Sequence, residues 1–141
     1  EGGVSYDPNN HEEMTRLRAD KVNAIANSLP PSEVFGDTEG GDLLVLGWGG
    51  TYGAITSAVR NLRTEGFPVS SIHLRSLNPF PNDLGDILSK FKKILIPELN
   101  MGQLSLLIRS KYLIDVISYS KVQGQPFKVS ELSNKILETI R

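Results

Sequence analysis

Short unbroken apolar runs alternate along this chain with stretches in which apolar residues recur every three or four positions. Leu43-Leu44-Val45-Leu46 is bounded by turn residues, the signature of a strand buried on both faces. Gly47-Trp48-Gly49-Gly50-Thr51-Tyr52-Gly53 follows at once as a tight turn into a helix. In that helix Ala54, Ile55, Ala58, Val59 and Leu62 return at helical spacing, and Gly66 with Pro68 two residues on ends it. Strand, turn and helix make the first half of a βαβ unit, and the remaining elements can be placed relative to it.

Upstream, residues 1–10 are rich in Gly, Asn, Asp and Pro and read as a linker. A helix is predicted from about His11 to Ser28, with Met14, Leu17, Val22, Ile25 and Leu29 as its apolar stripe, acid in its first turn and Pro30-Pro31 as its stop. Residues 32–39 allow an edge strand centred on Glu33-Val34-Phe35. Downstream, residues 69–77 form a strand, and Asn82 or Asp83 caps a short helix in which Leu84, Ile87, Leu88 and Phe91 share a face. Ile94-Leu95-Ile96 is a buried strand, and residues 97–102 form the loop after it. A helix over residues 103–112 carries Leu104, Leu107 and Ile108 on one face, with Leu106 beside them. Residues 114–119 form a last strand, and Ser130 caps a final helix bearing Leu132, Ile136, Leu137 and Ile140. The sum is a three-layer α/β/α sandwich with right-handed crossovers.

Composition narrows the chemistry. Fifteen Lys and Arg balance 16 Asp and Glu among 141 residues, so no field invites nucleic acid or a membrane surface. The absence of cysteine excludes a thiolate nucleophile and any cysteine-ligated cluster within the chain. The two histidines, His11 and His73, fall in different elements, and no metal site is expected. No apolar run is long enough to span a bilayer and Glu1-Gly2-Gly3 does not open a signal peptide, so the expectation is a soluble cytoplasmic protein.

Open α/β sheets bind ligands at the carboxyl ends of their strands. Here those ends supply Trp48, Thr51, Arg75, Asn78, Glu98, Asn100, Gln103 and Lys121. The turn over residues 47–53 can cradle a phosphate, with Gly49, Gly50 and Thr51 as the cofactor-binding candidates. Its glycines do not follow the dinucleotide spacing and no Lys-Ser or Lys-Thr pair closes it, so a turn that needs close packing or positive φ accounts for them equally. His11-Glu12-Glu13-Met14 lacks the second histidine of a zinc-protease helix, and His73 reads as a paired or exposed strand residue. Arg75 and Glu98, at the ends of two strands, are expected to pair. There is no nucleophile elbow, and no catalytic residue is assigned.

Six collinear blocks together carry a resemblance. They are Val4-Ser5-Tyr6-Asp7-Pro8-Asn9-Asn10-His11, Leu17-Arg18-Ala19-Asp20-Lys21-Val22, the glycine turn Gly47-Trp48-Gly49-Gly50-Thr51-Tyr52-Gly53, His73-Leu74-Arg75-Ser76-Leu77-Asn78-Pro79-Phe80-Pro81, Pro97-Glu98-Leu99-Asn100-Met101-Gly102-Gln103-Leu104 and Lys121-Val122-Gln123-Gly124-Gln125-Pro126-Phe127. The set resembles the C-terminal part of the alpha subunit of 2-oxoacid:ferredoxin oxidoreductases, the 2-oxoglutarate type above all. The resemblance implies a domain like the C-terminal domain of transketolase, with a mixed sheet of about five strands whose first is antiparallel, here residues 33–37.

It further implies an enzyme that oxidatively decarboxylates a 2-oxoacid to an acyl-CoA and passes electrons to ferredoxin. Thiamine diphosphate, Mg, the iron–sulfur cluster and CoA would belong to the full enzyme and none to this fragment. The implied partners are the beta subunit and the N-terminal domain of the same subunit. Residues 1–31 would be linker and helix, and residues 32–141 a non-catalytic interaction domain. Residues 104–108, Trp48 and Phe80 are candidate contact points, with core packing the alternative for each. An independent CoA- or nucleotide-phosphate-binding module using residues 47–53 is the other reading.

Overall fold

Along the strand Gly41–Trp48 (β2) side chains point alternately to the two faces of a sheet, so Leu43 and Val45 enter one apolar core while Leu44 and Leu46 enter another. The computed structural model describes residues 8–122 and 124–141. Residues 1–7, the side chain of His11, and Gln123 lie outside the described residues, and with them most of the proposed linker. The other strands are Val34–Phe35 (β1), Val69–Leu74 (β3), Phe91–Glu98 (β4) and Ile117–Ser120 (β5). They form one five-stranded sheet in the order β1-β3-β2-β4-β5. β1 is antiparallel to β3, pairing Val34 with Ile72 and Phe35 with Ser71, and every other pairing is parallel. The mixed α/β sheet and its antiparallel edge strand are as expected.

The helices are Pro8–Ser28 (α1), Tyr52–Thr64 (α2), Leu84–Ser89 (α3), Gln103–Tyr112 (α4) and Val129–Ile140 (α5). Ile55, Ala58, Val59 and Leu62 of α2 join Leu132 and Ile136 of α5 over Leu43, Val45, Val69 and Leu95. On the opposite face Leu84 and Leu88 of α3 and Leu104 and Ile108 of α4 cover Leu44, Leu46, Ile72, Leu74, Ile94 and Ile96. The chain winds one way from β2 through α2 to β3, then reverses across the sheet to β4 and β5. With crossovers of one hand a reversal must move the connecting helix to the other face, and the two cores record that change.

Several boundaries move, each for a packing reason. β2 continues through Gly47 and Trp48, residues read from the sequence as turn. A Cβ on Gly47 would lie 2.4 Å from Ile55 Cδ1, so the glycine lets α2 sit against the strand end. β3 stops at Leu74, opposite the last residue of β2, rather than at residue 77. Phe91 lies in the same core as Leu84 and Leu88, but as the first residue of β4 rather than the last turn of a helix. Lys92 and Lys93 therefore sit on a strand, and so do Pro97 and Glu98. β5 begins at Ile117 rather than Ile114, after Leu113 closes α4 with φ 55°.

At the N-terminus α1 begins at Pro8, where a proline's missing N–H costs nothing, so its first turn has no acid. Of its apolar stripe Met14, Leu17 and Ile25 are exposed and Val22 and Leu29 half-buried, while Ala26 is buried. Ser130 is not the cap of α5; Lys128 holds that position, and its N–H donates to the Glu131 carboxylate at 2.7 Å. Asp83 precedes α3 but accepts from the Ser32 N–H and hydroxyl instead of capping the helix. On α4, Leu104 and Ile108 are buried, whereas Leu106 and Leu107 face outward at 63% and 46% exposure.

That difference is testable within one helix. Leu104→Ala is expected to cost about 2–5 kcal/mol in urea unfolding, as for other buried leucines. Leu106→Ala is expected to stay within about 0.5 kcal/mol of the parent. Equal losses would show that α4 is rotated from the orientation described.

Candidate functional site

Because β2, β3, β4 and β5 run parallel, the loops after them gather at one edge of the sheet. The connection leaving β2 goes to one face and that leaving β4 goes to the other, so the crevice between them is the topological switch point of the fold. A cleft of about 330 Å³ lies there, lined by Trp48, Gly49, Gly50, Thr51, Leu99 and Asn100. The structure thus brings Gly49, Gly50 and Thr51 to the place where such sheets take ligands.

Each of these residues has a local reason as well. Gly49 has φ +62°, and with Gly50 and Thr51 it forms a single 3-10 turn leading into α2. Thr51 is buried, and its hydroxyl proton is committed to the Trp48 carbonyl at 2.9 Å. No side chain caps α2, which instead continues directly from this 3-10 turn. Trp48 is half-buried against the core under α3 and α4, and Phe80 is inside that core, 5.9 Å from Tyr112 between ring centroids.

The N-terminus of α4 is treated differently. Gly102, with φ +86°, stands at the cap position and has no side chain to offer. Glu98, 1% exposed at the end of β4, reaches across instead. One carboxylate oxygen accepts the Leu104 N–H at 2.7 Å, and the other accepts the Ser105 N–H at 3.0 Å and the Ser105 hydroxyl at 3.2 Å. Asn100 Oδ1 accepts from the amides of Gly102 and Gln103. These acceptors do the work of an N-cap, and they place a carboxylate at the positive end of the helix. The expected Arg75–Glu98 pair does not form, because β2 lies between β3 and β4 and Glu98 points into α4. Nothing in the linear sequence marks Glu98 as a cap, since it lies outside the helix it serves.

Beyond β3 a groove of about 1010 Å³ runs along the sheet edge, with Tyr52, Thr56, Arg60, His73 and Arg75 among its lining. His73 Nδ1 is buried without a hydrogen-bond partner among the described residues, and the ring meets Tyr52 edge-on at 5.0 Å. Burial, and then the Arg75 charge, push the His73 pKa below 6.5, which favours the neutral ring. Asn78 is exposed in the loop after β3, and Gln103 is exposed at the start of α4. Lys121 binds Glu131 at 2.7 Å and the Pro126 carbonyl at 3.1 Å, tying its loop to α5. The Lys121 ammonium and the Lys128 amide hold the Glu131 carboxyl below its usual range.

Among the described residues no three acidic, histidine or cysteine side chains come together as metal ligands, and the chain has no cysteine for a cluster. The buried carboxylate, Glu98, is consumed by α4. No described helix is long and apolar enough to cross a membrane.

The profile of the pyruvate:ferredoxin oxidoreductase core domain II family matches residues 41–132. The chain is 45% identical to the 2-oxoglutarate oxidoreductase subunit KorA of Mycobacterium tuberculosis over 135 residues, which is 96% of this chain and 20% of that protein. A solved 2-oxoglutarate:ferredoxin oxidoreductase from Magnetococcus marinus, with 2-oxoglutarate, coenzyme A and succinyl-CoA bound, superposes with a TM-score of 0.90 at 34% identity. That match covers 99% of this chain and 25% of the other. A split-gene transketolase superposes at 0.58 with 15% identity, over 79% of this chain and 42% of its own, a likeness of fold alone. The chain thus spans a fifth of the KorA relative and a quarter of the solved 2-oxoglutarate:ferredoxin oxidoreductase chain.

Glu98→Gln is expected to cost about 1–3 kcal/mol, since an amide NH2 would face a buried N–H. Faster amide exchange at Leu104 and Ser105 would accompany it; unchanged stability and exchange would show that the cap is dispensable. For His73, the unfolded chain holds a proton between the lowered folded pKa and 6.5 that the folded chain lacks. Its contribution to stability is therefore complete above about pH 6.5 and is lost as the pH falls below it. Melting temperature is expected to fall between about pH 7.5 and about pH 5.5, with a shallower slope in His73→Gln. Identical slopes would remove His73 as the cause.

Proposed function

This chain belongs to the pyruvate:ferredoxin oxidoreductase core domain II family, and from that premise we propose that it is the C-terminal domain of the alpha subunit of a 2-oxoglutarate:ferredoxin oxidoreductase. The complete enzyme would oxidatively decarboxylate 2-oxoglutarate in the cytoplasm, form the acyl-CoA and send electrons to ferredoxin. Thiamine diphosphate, Mg, CoA and the iron–sulfur cluster would be held by other domains and by the beta subunit. Within that assembly, residues 1–31 lead in and residues 32–141 are an architectural domain without turnover of its own. The observation that carries this reading is agreement in both backbone and sequence over nearly the whole chain with an enzyme of that activity. Surface composition supports the architectural part. Met14, Leu17 and Ile25 on α1 and Leu106, Leu107 and Leu113 along α4 leave apolar side chains uncovered, as a face that meets other protein does.

Expression of the complete alpha subunit with its partner, followed by CoA-dependent reduction of a low-potential acceptor, tests the reading. Reduction is expected with 2-oxoglutarate. A preference for pyruvate or a branched 2-oxoacid would correct the substrate, and inactivity of a complex loaded with thiamine diphosphate and clusters would overturn the enzymatic assignment.

One observation favours a second reading, a CoA or nucleotide-phosphate module at residues 47–53: the uncapped start of α2 opens on the switch-point cleft. Titration calorimetry of the chain with CoA separates the two. No heat is expected if the domain is architectural, and saturable binding that Gly50→Asp abolishes would favour the module.

A further inference from the structure

Among the described residues nothing requires Gly50 or Gly53 to be glycine. Neither adopts positive φ, and a Cβ built on either meets nothing within 4 Å. Gly53 lies in the first turn of α2, where a residue with a side chain would hold the helix better. A glycine that neither the backbone nor the local packing requires leaves main chain bare on the outside. Such a surface suits close approach by another polypeptide.

The same edge carries two further loose ends. The buried Nδ1 of His73, four positions past Val69 on the neighbouring strand, has no partner among the described residues, whereas buried polar atoms ordinarily find one. Arg75 has no ion-pair partner among the described residues, and Tyr52 and Met101 are exposed at 55% and 82%. At the start of the strands the situation is reversed: Asp42 pairs with Lys92 at 3.1 Å and Asp37 with Arg63 at 3.3 Å. At the carboxyl end Lys121 is paired with Glu131, whereas His73 Nδ1 and Arg75 are left without a partner among the described residues.

We propose that the carboxyl edge of the sheet, centred on Gly50, Gly53 and His73, is the seat of another domain of the same polypeptide. That domain would present an apolar surface to Tyr52 and Met101, a hydrogen-bonding group to His73 and a carboxylate to Arg75. The inference rests on the reading of this chain as one domain of an alpha subunit. The occupant is taken from the same chain because the solved relative that matches 99% of this domain devotes only 25% of its own chain to it.

Hydrogen exchange tests the docking in the complete subunit and in the 141-residue chain. Amides of residues 49–53 are expected to be at least about tenfold better protected in the complete subunit. Gly53→Trp should abolish the difference, and Glu39→Trp, at the opposite end of the sheet, should not. Gly53→Ala in the short chain should leave its melting temperature unchanged or raised, as a glycine needed for folding would not allow. Equal protection in both contexts, or an ineffective Gly53→Trp, would overturn the proposal. So would protection of these amides in the short chain by CoA alone, in favour of a ligand site. Loss of the docking signal with CoA-dependent activity intact would remove this inference and keep the enzymatic reading; loss of both would remove the two together.

Discussion

The structure around the switch point depends on one buried charge. Glu98 is almost fully withdrawn from water, a position that a carboxylate tolerates only when its acceptor sites are filled. Two backbone amides, a serine hydroxyl and the positive end of α4 fill them. The same contacts tie the last residue of β4 to the first turn of α4, and so set where that helix begins. They also put an internal carboxylate at the start of α4.

The start of α2 is left without such a cap, although it is the other helix that opens on the crevice. The contrast follows from the winding of the chain. The loop after β2 and the loop after β4 part to opposite faces, and between them the sheet edge stays uncovered by the chain's own helices. One side of that crevice is sealed by Glu98 and Asn100. The other presents bare glycine backbone and a half-buried Trp48.

Periodicity made the strand-helix alternation readable because each core strand is short, apolar and covered on both faces, which leaves a run where a one-sided strand leaves an alternation. It failed where the packing partner decides. Phe91 satisfies the helical spacing of Leu84 and Leu88 and is buried with them, yet pairing with Gly41 draws it into β4. Leu107 fits the same stripe as Leu104 and Ile108, but it faces outward while they are buried. The stripe on α1 is only partly covered, with Met14, Leu17 and Ile25 exposed. At the site, the glycine turn was legible as a turn, and its place at the switch point was not, because strand order is absent from local pattern.

The sequence alone determined the class of the fold, the helix and strand inventory, the lack of cysteine chemistry and, through collinear blocks, the family. Those properties are local or cumulative: they reside in spacing, composition and the order of short segments. The tertiary structure decided that Arg75 and Glu98 stand on opposite sides of β2, that Glu98 caps a helix it does not belong to, and that Gly50, Gly53 and His73 share one unfinished edge. These are relations between residues distant along the chain. They come into being only when the sheet acquires its strand order, and with it the burial that makes a carboxylate, a glycine or an imidazole nitrogen significant.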